Sequence, residues 1–398
     1  MHKKNKNYWT FMFKYTNIEL TVKRNKKQEG NKRMKGNVIV GQSGGPTAAI
    51  NASLAGVYRT AKDRGANKVY GMLHGIQGLL KEKYIDLSDH IKTELDAELL
   101  KRTPAPFLGS CRYKLPEIHE NREVYDKIFE ILDKLDIEVF IYIGGNDSMD
   151  TIKKLSDYAI IFGHAIRFIG CPKTIDNDLA LTDHTPGYGS AAKYIGTSMK
   201  EIIRDSFCLE YEKGVVSIVE IMGRNAGWIT AASALARRKK GDAPHLIYVP
   251  ERPFHEDEFL EDVERLYKEK GGVVVVASEG LTNVNGESIV PPIFKSDRAV
   301  YYGDVSAYLA ELVIKKLGIK ARSEKPGICG RASIALQSPV DRAEAILVGE
   351  LAVKAVTSGN GGHMIGFKRQ TGNIYQVEPV LVPLKDVMLY ERKLPEAY

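Results

Sequence analysis

Short apolar runs alternate with stretches of helical periodicity from Asn37 almost to the C-terminus. Runs of mainly aliphatic residues predict buried strands at residues 38–40, 69–73, 139–143, 168–170, 215–221, 246–249 and 273–277. Helical periodicity predicts helices at residues 48–62, 150–162, 190–207, 226–238, 255–269 and 304–317. The first of these helices has apolar residues at intervals of four, three and four, which mark its buried face: Ile50, Leu54, Val57 and Ala61.

Continuous apolar strands crossed by helices are typical of parallel sheets that helices cover on both faces. The number of strand–helix units suggests two such sheets. The pattern therefore predicts an α/β fold of two doubly wound, three-layer αβα domains with parallel-rich sheets. In such folds ligands bind at the carboxyl ends of the strands, so functional residues are expected there.

The net charge of +7 comes from the N-terminal segment. Residues 1–33 hold ten Lys or Arg against two Glu, which gives +8 and leaves −1 for the remaining chain. No basic field therefore extends over the predicted domains, and a nucleic-acid partner is not expected. We interpret residues 1–33 as a disordered tail or as an artefactual extension before a natural start at Met34. The aromatic patch at residues 8–13 leaves a membrane-surface contact as the alternative.

Nothing else in the sequence indicates a membrane or an oxidising compartment. The N-terminal segment lacks the apolar core of a secretory signal, and the chain has no apolar run of about eighteen residues. The four cysteines are far apart and form no C-x-x-C pair, so a disulfide framework or zinc site is not expected. These features favour a soluble cytoplasmic protein without a membrane partner.

Polar clusters follow the predicted strands. A glycine-rich loop at residues 41–46 follows the first strand, and its backbone N–H groups near Gly44 can approach a phosphate at a helix N-terminus. Asn146 and Asp147 follow another strand, and Lys173 to Asp178 follow the next. Such a cluster suggests metal-assisted phosphoryl transfer, in which Mg²⁺ and Lys173 hold a phosphate donor while a carboxylate, expected to be Asp176, deprotonates an alcohol.

Five segments in this order resemble the phosphofructokinase family: residues 41–46 (GQSGGP), 144–148 (GGNDS), 172–178 (PKTIDND), 219–224 (VEIMGR) and 278–280 (SEG). The resemblance implies phosphoryl transfer to the 1-hydroxyl of fructose 6-phosphate in a cleft between two domains. The donor domain is expected at residues 34–187 plus about 330–380, and the sugar-phosphate domain at 188–329 plus about 381–398. The resemblance also implies that the chain forms a homodimer or homotetramer.

The family uses either ATP or inorganic pyrophosphate as donor, and two positions distinguish them. ATP users carry glycine where this chain has Asp147 and again where it has Lys173. An aspartate at the first position places charge and bulk where the α-phosphate of ATP would lie. A lysine at the second supplies a point charge for the transferring phosphoryl group. Together they imply pyrophosphate.

The resemblance also assigns roles to individual residues. Asp176 is the general base, Gly44 and Lys173 hold pyrophosphate, and Asp147 takes part in catalysis. Mg²⁺ is expected on Asn146, Asp147 and Asp178. The sugar phosphate is expected among seven residues that match the family's motifs, with Arg331 on its 6-phosphate: Thr174, Ile175, Asp176, Met222, Gly223, Arg224 and Glu279. Arg322 is expected to reach the sugar phosphate of a neighbouring subunit.

Each of these residues also has a structural interpretation. Asp147 can cap a helix, Asp176 and Asp178 can form a turn, and Arg224 can pair with Glu220 or Glu279. Gly44 can simply permit a turn, and Arg322 or Arg331 can serve a surface or subunit contact. Only the joint occurrence of these residues at strand ends favours a site.

Three departures from the ATP-type pattern keep other functions open: Asn146 stands where a metal-binding aspartate is usual, Val215 at a second inter-subunit arginine, and Ile328 at a His or Tyr. ATP-dependent phosphofructokinase is the nearest alternative. A paralogue that binds sugar phosphate without turnover is another, although retention of Asp176 and Lys173 argues against it. Lipid and NAD kinases lack the combination of segments 172–178 and 219–224.

Overall fold

A computed structural model describes residues 33–208, 213–296, 299–388 and 390–397. Apart from Arg33, the N-terminal tail predicted from the sequence lies outside these residues. Within them no helix is long and apolar enough to cross a bilayer, and all four cysteines are free.

The strands in chain order are β1 (Asn37–Gln42), β2 (Val69–Met72), β3 (Tyr84–Asp86), β4 (Ile137–Gly144), β5 (Arg167–Pro172), β6 (Val216–Ile221), β7 (Leu246–Tyr248), β8 (Val273–Ser278), β9 (Pro292–Ser296), β10 (Ala299–Tyr302), β11 (Ala321–Glu324), β12 (His363–Arg369) and β13 (Val377–Pro383). The α-helices are α1 (Ile50–Asp63), α2 (Gly75–Leu79), α3 (Glu94–Lys101), α4 (Arg122–Lys134), α5 (Asn146–Phe162), α6 (Tyr188–Cys208), α7 (Trp228–Ala232), α8 (Glu256–Lys270), α9 (Val305–Leu317), α10 (Cys329–Ala332), α11 (Pro339–Thr357) and α12 (Leu384–Val387).

The described strands form two sheets and a hairpin. The larger sheet has the order β13-β12-β5-β4-β1-β2-β3, and the smaller has the order β11-β6-β8-β7. All pairs are parallel except β12 with β13 and β2 with β3 at the two edges of the larger sheet. The antiparallel pair β9–β10 stands apart from both sheets. The predicted α/β fold with two parallel-rich sheets is confirmed.

Each sheet is the middle layer of three. Val38 and Val40 of β1 pack in one core with α1 and α11, while Ile39 packs in the opposite core with α4 and α5. In the smaller sheet, α8 and α9 cover one face and α6 and α7 the other. The four apolar residues that predicted the buried face of α1 are fully buried. Gly56 of α1 and Gly349 of α11 let these two helices approach closely. A Cβ on Gly56, for example, would meet the Ile346 carbonyl oxygen at 2.3 Å.

The helix predicted over residues 226–238 is wrong in extent. α7 ends at Ala232, and a 3₁₀ turn follows over Ser233–Ala236. The Ser233 hydroxyl donates a hydrogen bond to the Thr230 carbonyl oxygen at 2.6 Å, and such side-chain bonding to the preceding turn competes with regular helix geometry. In contrast, α5 begins at Asn146, four positions before its predicted start at residue 150.

The division of the chain into a donor domain and a sugar-phosphate domain stays a prediction. β13 continues in the larger sheet to Pro383, and Leu384 and Val387 of α12 pack in a core of that sheet. Leu394, further along, packs beside Ala226 and Trp228, next to α7.

A largely buried histidine, His184, ties the loop after β5 to α11. His184 Nδ1 lies 2.9 Å from Asp183 Oδ2, and Nε2 lies 2.7 Å from Glu344 Oε2. Burial disfavours the charged imidazolium, but these two carboxylates favour it more strongly and raise the pKa of His184 to about 9. The interaction is therefore a stabilising contact of the protonated ring.

This cluster predicts a pH-dependent stability. Because the folded-state pKa of about 9 exceeds the ordinary 6.5, the stabilisation is complete below pH 6.5 and is lost as the pH rises through 9. The loss is on the order of 3 kcal/mol. We expect the thermal unfolding midpoint to fall over this interval in the wild type and to fall much less in His184→Gln. Parallel curves for the two proteins would contradict this account.

Candidate functional site

The carboxyl ends of adjacent strands place the predicted residues side by side. β1, β4 and β5 are neighbours in the larger sheet, and they lead directly into Gly44, Asn146 and Lys173. In the smaller sheet β6 and β8 are neighbours and lead into Met222 and Glu279. Parallel pairing alone therefore assembles residues that are more than a hundred positions apart.

A cavity of about 250 Å³ lies at this edge of the larger sheet, and we call it the lysine cavity. Its lining includes seven predicted residues: Gly44, Asn146, Asp147, Lys173, Thr174, Asp176 and Asp178. A second cavity of about 500 Å³, the arginine cavity, is lined by Arg224 and Glu279 among others. Glu391 lines both cavities.

Lys173 is the buried cation of the lysine cavity. Its residue is only 2% exposed, and its Nζ donates to the Gly45 carbonyl oxygen at 2.6 Å. Burial lowers the pKa of Lys173 to about 8, with Asp176 and Asp178 acting in the opposite direction. At neutral pH the ammonium group is thus mostly charged but poorly solvated, which strengthens its attraction for an anion.

Asp176 has the properties of a general base. Burial raises the pKa of Asp176 to about 6, and repulsion from Asp178 and Glu279 adds to the rise. The carboxylate is mostly ionised at neutral pH and is more basic than an ordinary aspartate, as a proton acceptor from an alcohol requires. Its backbone N–H donates to Thr174 Oγ1 at 3.0 Å, which fixes the turn that carries it.

Asp178 presents one free carboxylate oxygen. Its Oδ2 accepts a hydrogen bond of 2.8 Å from Asn146 Nδ2, while the buried Oδ1 has no hydrogen-bond partner in the described parts of the chain. Burial raises the pKa of Asp178. A buried carboxylate oxygen without a partner is costly, and a bound cation would satisfy it.

These residues fit Mg²⁺ only in part. Across the described ranges no group of three or more His, Cys, Asp or Glu is arranged to hold a metal ion. Mg²⁺ is commonly bound by one or two carboxylates together with substrate phosphates and water. The free Asp178 oxygen, with Asn146 and Asp147 lining the same cavity, suits that mode rather than a site built from protein ligands alone.

The glycine-rich loop after β1 lines one side of the lysine cavity. Gly44 has a positive φ of 76°, a conformation that favours glycine. Its carbonyl oxygen accepts from Ser110 Oγ at 2.6 Å, which holds the loop against the segment that contributes Cys111, Arg112 and Tyr113 to the lining.

The arginine cavity is organised by the loops after β6 and β8. Glu279 Oε1 accepts from the Gly223 N–H at 3.3 Å, and Ser278 Oγ donates to the Gly223 carbonyl at 2.6 Å. Gly280 must be glycine, because a Cβ there would meet the Arg224 carbonyl oxygen at 1.8 Å. Arg224 itself forms no ion pair with Glu220 or Glu279 in the structure.

Five predicted sugar residues line neither large cavity: Ile175, Met222, Gly223, Arg322 and Arg331. Ile175 and Met222 line a small separate void of about 10 Å³. Arg331 lies on α10 and lines neither large cavity, but its positive charge acts on Lys173, and its buried Nε lacks a hydrogen-bond partner in the described chain. Arg322 is exposed on β11, the edge strand of the smaller sheet. Its predicted contact with a neighbouring subunit stays a prediction.

An ion pair between the buried Glu220 and the exposed Lys325 links the two segments that carry predicted sugar residues. Glu220, two residues before Met222, lies 2.9 Å from Lys325 Nζ. Its other oxygen accepts from the Ser306 N–H at 3.0 Å. Lys325 also contacts Asp304 at 2.6 Å. Lys325 precedes the turn into α10, so the pair connects β6 to the segment that leads into the helix carrying Arg331.

Sequence reasoning missed several lining residues: Arg112, Tyr113 and Glu391 in the lysine cavity, with Tyr302 and Lys393 in the arginine cavity. Ser43, Gly45, Gly145 and Ser148 also line the lysine cavity; they lie in the segments that carry the resemblance but received no individual role. Arg112 and Tyr113 lie in a segment without helix or strand. Their only sequence signal was a glycine followed by polar residues. Glu391 and Lys393 lie near the C-terminus, where no periodicity pointed to the site.

The family model described as phosphofructokinase matches residues 37–356. A pyrophosphate–fructose 6-phosphate 1-phosphotransferase of Xanthomonas campestris pv. campestris is 39% identical over 365 residues, which are 91% of this chain and 87% of that protein. A sulfofructose kinase of Alkalicoccus urumqiensis is 36% identical and is covered to 91%, as is this chain.

A solved structure agrees with the sequence relatives. The crystal structure of a pyrophosphate-dependent phosphofructokinase from Marinobacter aquaeolei superposes with a TM-score of 0.82 at 37% identity. The match covers 92% of this chain and 86% of the other.

Proposed function

The chain belongs to the phosphofructokinase family, and we propose that it reversibly transfers a phosphoryl group from pyrophosphate to the 1-hydroxyl of fructose 6-phosphate. The products are fructose 1,6-bisphosphate and phosphate. The observation that carries the proposal is the presence of Asp147 and Lys173 in one cavity with Asp176. Relatives named for this reaction support it.

The donor follows from the charges of the lysine cavity. Lys173 provides a buried ammonium group that attracts both the transferring phosphoryl group and the leaving phosphate. Asp147 lies in the first turn of α5 and lines the same cavity. Its carboxylate repels the additional phosphate of a nucleotide, whereas pyrophosphate has no such group. ATP is therefore the disfavoured donor.

In the proposed mechanism Asp176 takes the proton from the sugar 1-hydroxyl as that oxygen attacks the phosphorus atom. Lys173 and the backbone N–H groups near Gly44 hold pyrophosphate and stabilise the charge that develops on the departing phosphate. Arg224 and Glu279 orient the sugar from the other side. When bound, Mg²⁺ neutralises phosphate charge, and Asn146, Asp147 and Asp178 would hold it.

The assembly and location are proposals of the same kind. Arg322 is exposed on an edge strand, where it can reach another copy of the chain, so we expect a homodimer or homotetramer. A glycolytic reaction on small phosphorylated substrates suits a cytoplasmic enzyme without nucleic-acid or membrane partners.

The function is tested by supplying the purified full-length chain with Mg²⁺, pyrophosphate and one acceptor at a time. We expect fructose 1,6-bisphosphate to form from fructose 6-phosphate, and a much lower kcat/KM for unphosphorylated fructose. The analogue with a 6-sulfonate is the informative comparison, because one relative is named a sulfofructose kinase. A higher kcat/KM for the sulfonate, or no product from either acceptor, would contradict the proposal.

A further inference from the structure

The C-terminal segment 390–397, here called the strap, crosses the cleft between the two predicted domains. At one side the Arg392 N–H donates to the Asp178 carbonyl oxygen at 2.7 Å, directly beside the predicted base and metal residues. At the other side the Leu394 N–H donates to Glu251 Oε1 at 2.9 Å, and Trp228 Nε1 donates to the Arg392 carbonyl at 3.3 Å. The strap is thus fixed to both halves of the site.

Exposure alternates over residues 391–394 of the strap, where Arg392 is half-buried and Leu394 is buried, whereas Glu391 and Lys393 are exposed. Arg392 and Leu394 face the protein: the Arg392 guanidinium stacks 4.3 Å from the Trp228 ring, and Leu394 is buried beside it. Glu391 and Lys393, one residue out of phase, are exposed and line the cavities. The anchoring pair therefore determines that Lys393 faces the arginine cavity.

The arginine cavity holds two cations and two acids, but only the acids have partners. Glu279 accepts from Gly223, and Glu391 Oε2 lies 3.5 Å from Asn225 Nδ2. Neither Arg224 nor Lys393 has a side-chain hydrogen bond or ion pair within the described ranges. The remaining lining supplies neutral donors such as Thr282, Ser288 and Tyr302. Two unpaired cations among neutral donors suit a phosphorylated, hydroxylated ligand.

We propose that Lys393 is a phosphoryl-binding residue of the active site, carried into the cleft by the C-terminal strap. The inference rests on the proposed function for the identity of the ligands. The phosphoryl oxygen belongs either to the sugar phosphate, whose predicted contacts Arg224 and Glu279 share this cavity, or to pyrophosphate in the lysine cavity. Glu391, two residues before Lys393, lines both cavities.

Equilibrium binding measurements test the phosphoryl-binding role of Lys393 without requiring turnover. Calorimetric titration of the full-length chain with fructose 6-phosphate, and separately with pyrophosphate and Mg²⁺, is compared for wild type, Lys393→Met and Lys393→Arg. Loss of a charge-assisted hydrogen bond is expected to weaken one ligand by about tenfold to hundredfold, with most of the affinity retained in the arginine variant. Weaker fructose 6-phosphate binding identifies the sugar phosphate as the source, and weaker pyrophosphate binding identifies the donor.

Lys385→Met is the matched control, because Lys385 is exposed on α12 and lines neither cavity. Wild-type affinity of Lys393→Met for both ligands, or an equal loss in Lys385→Met, overturns the inference. Its failure is distinct from failure of the proposed function. A chain that binds both ligands but gives no turnover refutes the reaction and leaves the role of Lys393 to the titration.

Discussion

Replacing Asp176 with alanine is expected to lower kcat by about 10³-fold while the affinity for fructose 6-phosphate changes little. The size reflects the usual contribution of a positioned general base, about 10²- to 10⁴-fold. Asp176 is the carboxylate of the lysine cavity whose pKa burial raises to about 6, so its loss removes the proton acceptor. Lys173 remains, as do Arg224 and Lys393 in the arginine cavity. The affinity for fructose 6-phosphate is therefore expected to persist.

Asp176→Asn is the isosteric control. It keeps the shape of the side chain and the backbone hydrogen bond to Thr174 but removes the basic oxygen. Both variants are expected to show similar losses of kcat and unchanged thermal unfolding midpoints. Turnover near that of the wild type in Asp176→Asn would show that another group takes the proton.

The second large effect is expected from changing the donor residues together. Asp147→Gly with Lys173→Gly should lower kcat/KM for pyrophosphate by about a hundredfold or more, since removal of one electrostatic stabiliser of a transition state costs about 10²- to 10³-fold. The same change removes the carboxylate that we propose repels a nucleotide. Lys173 is nearly fully buried, so its removal also enlarges the cavity beside Gly44, and turnover with ATP should become measurable.

The single variants separate the two contributions. Lys173→Gly alone is expected to lose pyrophosphate activity without gaining ATP activity, because Asp147 still excludes the nucleotide. Asp147→Gly alone is expected to admit ATP weakly. If the double variant retained the pyrophosphate activity of the wild type, the two residues would not determine the donor.

Much of the fold was predictable because buried parallel strands leave a continuous apolar signal. The runs that became β1, β4, β5, β6 and β8 were all found from such stretches, and the order of a parallel sheet then brings their carboxyl ends together. Lys173, Asp176 and Asp178 follow one of these strands directly. Their assembly with Gly44 and Asn146 needed no information beyond strand adjacency.

The residues that were missed depend on tertiary contacts rather than on periodicity. Arg112 and Tyr113 reach the lysine cavity from an irregular segment, held in part by the Gly44 N–H bond to the Cys111 carbonyl oxygen at 3.2 Å. The strap reaches the cleft because Trp228 and Glu251 bind it, and neither contact has a local sequence signal. The 3₁₀ turn after α7 was missed because side-chain hydrogen bonding overrode helical periodicity.

The most direct test of the central claim offers both donors to the wild-type chain in one reaction. Equimolar pyrophosphate and ATP are mixed with fructose 6-phosphate and Mg²⁺, and phosphorus NMR follows each donor. We predict that pyrophosphate is consumed, with one fructose 1,6-bisphosphate and one phosphate formed for each molecule, while the ATP resonances persist. Consumption of ATP with formation of ADP, while pyrophosphate remains, would contradict the account.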